Sequence, residues 1–253
     1  MKTLTAGLWS LMIASSLLVQ GCASQDTGGS VAPLAPLAVE MGPGVESRRM
    51  QPPNSAEFTT NIDNPYFPLV PGTVSSFAGL TKNGMETGRV EVTHDTKTIQ
   101  GVATRVVHDQ VFADGNLIED TIDWYAQDKD GNVWYFGEDS KQIQNGQVVG
   151  TEGSWESGKD GAERGIQMLA HPKIGVAYSQ EYAAGVAEDQ ARVVSLTESA
   201  SVPYGSFENC VKTMEWTPLA RTDRAFKFYA PGVGVVLEVA SRERVELTAV
   251  SKP

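Results

Sequence analysis

Three carboxylates near the middle of the chain, Glu119, Asp123 and Asp139, are the residues best suited to acid–base work. Two carboxyl groups that flank a groove at the right separation can cleave a glycosidic bond, one protonating the leaving group and the other serving as base or nucleophile. The same stretch holds Asp128 and Asp130 in the run Asp128-Lys129-Asp130-Gly131-Asn132, which imitates the first positions of a calcium loop and, with Asp139, offers hard oxygen ligands. Val133 stands where such a loop needs glycine, and Asp139 where it needs a bidentate glutamate. Turn chemistry accounts for the run without a metal: Asp opens the turn and Gly takes the positive-φ position. No cofactor is therefore expected, and calcium is the alternative.

Other chemistry is thinner. His94-Asp95 and His108-Asp109 repeat a dipeptide seen in metal-dependent hydrolases, but in strand-like rather than helical segments, and they read as solvent-facing or hydrogen-bonded histidines. No Gly-x-Ser-x-Gly elbow presents a nucleophile, and no glycine cluster joins a strand to a helix as a phosphate loop requires. Cys210 lies in a strand pattern and reads as a small buried hydrophobe.

The element that must position the carboxylates runs from Glu119 to Asp139. Aromatic and β-branched residues flank the Asp128 to Asn132 turn, the pattern of a β-hairpin. A loop of Lys129-Asp130-Gly131 pairs Tyr125 with Tyr135, Trp124 with Phe136 and Asp123 with Gly137. Period-two alternation then sorts the side chains. Ile118, Ile122, Trp124, Ala126, Trp134 and Phe136 share a face expected to be buried, whereas Glu119, Thr121, Asp123, Tyr125, Tyr135 and Asp139 share one expected to be polar and wet. One greasy and one wet face mark an antiparallel sheet. Along the rest of the chain, Lys82-Asn83-Gly84, Asp114-Gly115 and Asn145-Gly146 punctuate alternating segments, the pattern of a meander. Three prolines at 65, 68 and 71 favour an extended strap whose Ile62, Tyr66, Phe67 and Leu69 plug one end of the sheet. The stretch 153–173 breaks the alternation and reads as a long loop; Ala187 to Val194 is the one candidate helix. The expected fold is all-β, a single strongly curved antiparallel sheet forming a half-barrel or open barrel, with few short helices.

The chain has 253 residues and a net charge of -11, which argues against nucleic acid and anionic membrane surfaces as partners. Residues 1–21 have the charged start, apolar core and small residue before cleavage of an export signal. Leu18-Val19-Gln20-Gly21-Cys22 resembles a bacterial lipobox, in which Cys22 is lipidated; Gln20 departs from the usual residue before the glycine. With Cys22 so used, Cys210 has no partner for an intramolecular disulfide. Residues 22–57, rich in Pro, Gly and Ala, read as a flexible tether, and residues 58–253 as one β domain. Ala23 rather than Asp after the lipidated cysteine points to the outer membrane of a double-membraned cell.

In the C-terminal third, VPYGSFENCVKTMEW followed by FKFYAPGVGVVLEV resembles a two-part pattern of TapB-like and LolA-like bacterial envelope proteins. NPYFPLVPG, DWYAQDKDGNVWYFGED and YAPGVGVV together resemble a family of secreted or lipid-anchored bacterial proteins without an assigned activity. The resemblance implies a strongly curved sheet whose concave side, in some relatives, holds acyl chains or another protein; it carries over no catalytic residue. The expected function is a non-enzymatic envelope lipoprotein that binds a hydrophobic ligand or a partner protein, with Trp124, Trp134, Phe136, Trp155, Ile166 and Met168 lining the site. A calcium-binding or structural scaffold is one alternative; a secreted hydrolase using Glu119, Asp123 and Asp139 is another.

Overall fold

Five segments rich in β-formers, separated by turns of two to four residues, build the first wall of the protein. The computed structural model describes residues 53–253; Cys22, the export signal and most of the expected tether lie outside the described residues. A single 3-10 turn (Ser55–Glu57), capped by the Asn54 side chain, leads into β1 (Phe58–Thr59). The proline-rich strap follows. Its Ile62, Phe67 and Leu69 are buried, as expected of a plug, and its Asn64 side chain donates to the carbonyls of Gly131 and Leu169. Then come β2 (Val74–Thr81), β3 (Gly84–Ile99), β4 (Val102–Ala113), β5 (Asn116–Asp128) and β6 (Val133–Gln144), each antiparallel to the next. Gln100-Gly101, Asp114-Gly115 and Asn145-Gly146 all take positive φ at both residues, the condition for the tight turn whose twist matches the strands.

β7 (Gln147–Gly150), β8 (Trp155–Glu156) and β9 (Glu163–Met168) all pair with β6. The stretch 153–173 is therefore not one long loop: its Ile166 and Met168 are strand residues packed in the core. After β10 (Ala177–Ser179) and β11 (Glu181–Tyr182) come four long hairpin-linked strands, β12 (Gln190–Val202), β13 (Gly205–Thr217), β14 (Ala220–Ala230) and β15 (Gly234–Ala240), and finally β16 (Glu243–Ser251). The candidate helix at Ala187 to Val194 is instead the start of β12, whose Ala191 and Val193 alternate inward with period two.

β16 pairs with β2 and joins the two halves into one antiparallel sheet. Its neighbour order runs β10-β12-β13-β14-β15-β16-β2-β3-β4-β5-β6-β9-β11. The two ends of that path, β10 and β11, are separated only by Gln180, whose backbone lies so close to Gly165 of β9 that no larger residue fits there. The curved sheet is thus a nearly closed barrel.

Closure overturns one expectation. The face of the β5–β6 hairpin carrying Thr121, Asp123, Tyr125 and Tyr135 is not wet: all four are buried, because it lines the barrel interior. The water-facing wall is the other one, along the upper halves of β3 to β6, where Arg89, Glu91, His108, Asp120 and Lys141 point outward beside half-buried Ile118 and Ile122. Lower down, Trp124, Trp134 and Phe136 of that outer face are buried by segments laid across it.

Candidate functional site

The local feature that shapes the site is a bulge in β6. Tyr125 pairs with Tyr135 as expected, their rings stacked at 4.8 Å. Beyond it the register shifts: Trp124 pairs with Gly137 rather than Phe136, and Asp123 with Glu138 rather than Gly137. Gly137 sits at φ 131°, which L side chains rarely adopt, and a Cβ there would run into the Trp155 carbonyl of β8. One extra residue inverts the alternation beyond it. Asp139 consequently lands on the outer face opposite Ile122, paired with Lys141 at 3.0 Å, and Glu138 takes the inward position. The expected trio of Glu119, Asp123 and Asp139 is therefore split, and the facing carboxyls are Asp123 and Glu138.

Inside the barrel these two belong to a belt with an acid on nearly every wall. Glu86 lies on β3, Asp109 on β4, Glu119 and Asp123 on β5, Glu138 on β6, Glu181 on β11, Glu215 on β13, Glu238 on β15 and Glu243 on β16, with Asp189 just before β12. Lys227 of β14 is buried among them, 2.8 Å from Glu215. Burial works against its charge, but Glu215 and Glu238 outweigh that and hold its ammonium above the ordinary value. The carboxyls move the other way. Burial, reinforced by neighbouring acids, raises Asp109, Asp123, Glu138 and Glu181 well above the carboxylate range, and pushes Glu119 up to about 7 and Glu238 to about 8. Tyr135 donates to Asp123 at 3.0 Å, while one oxygen each of Glu86, Asp109, Asp123, Glu181, Glu238 and Glu243 has no hydrogen-bonding partner. An unpaired buried oxygen is tolerated far better on a neutral carboxylic acid than on a carboxylate. The His-Asp dipeptide at 108–109 divides across the wall: Asp109 joins the belt, and His108 bonds Asp120 outside at 2.6 Å.

On the outer face, Phe58 packs edge-on against Trp134 and Phe136, and the Arg164 guanidinium lies 5.1 Å from the Trp134 ring, its pKa lowered to about 10 by burial. The Trp134 indole donates to Asp128 at 2.8 Å. Asp128 also accepts the backbone N–H of Asp130 and of Asn132 and the Asn132 side chain. Its oxygens cap the turn; Asp139 lies on another part of the sheet, and among the described residues no three His, Cys, Asp or Glu gather as a metal would need. Cys210 is free and buried, a small hydrophobe.

Where the Gly137 bulge meets β8, a cleft of about 540 Å³ opens, lined by Trp124, Glu138, Trp155 and Glu156, with Lys97 and Lys159 at its side. Small residues, Ala162, Ala183 and Ala184, line another part of its wall, and Asp139, Ser154, Asp160 and Val186 complete it. The Trp155 indole donates to Glu181 at 2.9 Å, anchoring the cleft to the acidic belt. Of the six residues expected to line a ligand site, the structure brings Trp124 and Trp155 to this cleft; Trp134, Phe136, Ile166 and Met168 are fully packed core. Lys97, Glu138, Glu156 and Lys159 were missed. Glu138 was hidden by the bulge, whose one signal is a glycine inside a strand pattern; Lys97 meets Glu156 across 59 residues of sequence, which no local pattern records.

No family model matches the chain, and no curated protein matches it. Among solved structures it is similar to a candidate exported protein with a YmcC-like fold from Bacteroides fragilis, at 16% identity over 74% of this chain and 98% of that one, with a TM-score of 0.41. It is also similar to a candidate lipoprotein from Parabacteroides distasonis, at 13% identity over 74% and 98% of the two chains, with a TM-score of 0.38.

Proposed function

We propose that this chain is an exported cell-envelope lipoprotein, held to a membrane by acyl chains on Cys22 and reaching from it on the tether of residues 22–57, that binds a ligand in the Trp124–Trp155 cleft without turning it over. One observation carries the binding reading: a cleft of about 540 Å³, within the range of small-molecule sites, whose wall alternates indole rings and alanines with charged groups. Such a lining suits a ligand with both an apolar body and a polar end. A long acyl chain finds less support, because the barrel interior is filled by valines, tyrosines and carboxyls, and the apolar pocket beside Phe67, Phe77 and Val233 measures only about 30 Å³. Binding is favoured over hydrolysis because Asp123 is wholly buried and Asp139 lies on the opposite face of the sheet, so the trio of Glu119, Asp123 and Asp139 does not converge on a shared substrate position; of the three, Asp139 alone borders the cleft. Export and anchoring rest on the residues ending in Gly21-Cys22, and outer-membrane placement on Ala23.

The test is native mass spectrometry of the mature chain purified without detergent, beside Ala184→Trp, an exposed wall position where an indole fills the cleft and leaves the core intact. A co-purifying molecule that is present in the natural protein and absent from Ala184→Trp is the expected result. A mass equal to the bare chain in both, or a ligand retained by Ala184→Trp, rules the cleft out. Radiolabelled palmitate incorporation that disappears in Cys22→Ser tests the anchor.

A further inference from the structure

One side of the cleft already holds a cation in the geometry of a recognition site. Lys97, near the end of β3, places its Nζ 3.3 Å from the centroid of the Trp124 ring and 2.7 Å from Glu156 Oε2. An ammonium between an indole face and a carboxylate is doubly satisfied: the ring quadrupole attracts it and the carboxylate neutralises it. Lys159 reaches the same Glu156 oxygen at 2.9 Å. Burial alone would raise Glu156, but the hydrogen bonds from Lys97 and Lys159 pull it below the ordinary glutamate value, so it is ionised. Neither lysine is locked in place. Their side chains are 35% and 65% exposed, and ion pairs at such exposure are weak. An incoming ammonium can therefore displace Lys97 at small cost. The adjoining wall continues the same chemistry: Asp139 and Asp160 add carboxyl groups, and Ala162, Ala183 and Ala184 leave room for methylenes.

We propose that the cleft is a site for a linear organic amine, a primary ammonium on an alkyl chain, and that Lys97 occupies its Trp124–Glu156 position as an intramolecular competitor when the site is empty. This rests on the reading of the cleft as a ligand site and names the class of ligand. An alkylammonium uses both the aromatic face and the carboxylate, and its methylenes use the alanines; a hydrated metal ion would use the carboxylate alone. The net charge of -11 draws such cations to the protein but does not choose among its surfaces.

Spermidine, titrated at low salt into the mature chain and followed by calorimetry and tryptophan fluorescence, is the probe. Saturable binding with one site is expected in the natural protein, about tenfold tighter in Lys97→Met, from which the competitor is gone. Lys97→Met with Glu156→Gln should lose at least tenfold from that gain, whereas Glu208→Gln, exposed and remote on β13, should change nothing. Lys97→Met reads the site by a gain of affinity, which a damaged fold does not produce. The proposal is overturned if Lys97→Met binds no tighter than the natural protein, if Glu208→Gln weakens binding as much as Glu156→Gln does, or if no saturable binding occurs. A co-purified molecule lost in Ala184→Trp, together with no response to spermidine, overturns the amine assignment while the cleft survives; failure of both removes the cleft as well.

Discussion

The two faces of the β5–β6 hairpin are both buried, but by different means. Trp124, Trp134 and Phe136 are covered by neighbours laid over the sheet: Lys97, Arg164 and the Phe58 of β1. Asp123, Tyr125, Tyr135 and Glu138 are enclosed because the sheet curls around them. The apolar face gains from leaving water, at roughly 1.5 to 3 kcal/mol per large side chain. The acidic face loses by it, and the loss is limited by keeping carboxyls protonated and by Tyr135 and Lys227 bonding the ones within reach. On this hairpin hydrophobicity therefore does not identify the interior; sheet closure does.

The largest effect is expected on the apolar face. Trp134 is 2% exposed and donates to Asp128. Trp134→Ala should cost about 3 to 5 kcal/mol in urea denaturation, and a loss below about 1 kcal/mol would show that the covering segments contribute little. Gly137→Ala strikes the joint between the faces. Its positive φ and the approach of the Trp155 carbonyl predict a loss of about 1 to 3 kcal/mol, with the near-ultraviolet signal of Trp155 altered.

Acidity separates the faces next. Glu86, Asp109, Glu119, Asp123, Glu138, Glu181 and Glu238 hold their protons more tightly folded than unfolded. The folded chain thus binds more protons than the unfolded one between the ordinary glutamate value of 4.5 and the raised values of about 7 for Glu119 and about 8 for Glu238. Stability contributed by these groups is complete below that window and falls as pH rises through it. Thermal melts should show Tm dropping steadily from pH 5 to pH 9, by about 2 to 4 °C for each kcal/mol lost, and Asp123→Asn should shrink the drop. A Tm that rises over this range would mean the belt is ionised and paired rather than protonated. The smallest effect falls outside: Asp139→Asn should change stability by less than about 0.5 kcal/mol at any pH, and a larger change would place Asp139 back among the interior acids.

Much of the local structure was legible in the residues alone. Asp128 and Gly131 make the turn their types suggest, Tyr125 meets Tyr135, and Asn145-Gly146 turns the chain where such pairs do, because turn conformation and side-chain alternation are set by a few adjacent dihedrals. Alternation states which side chains share a face, and up to the bulge it sorted them correctly. It does not state which face becomes the inside. That was decided by β16 pairing with β2, residues far apart in sequence, and by the two ends of the sheet path, β10 and β11, coming together at Gln180. The exchange of Glu138 for Asp139 depended on one unpaired residue at Gly137, whose bulge is held by its packing against β8. Trp124 and Trp155 could be picked out as aromatic, but their union with Lys97 and Glu156 in one cleft exists only after closure, since electrostatic and packing contacts follow distance in space rather than order along the chain.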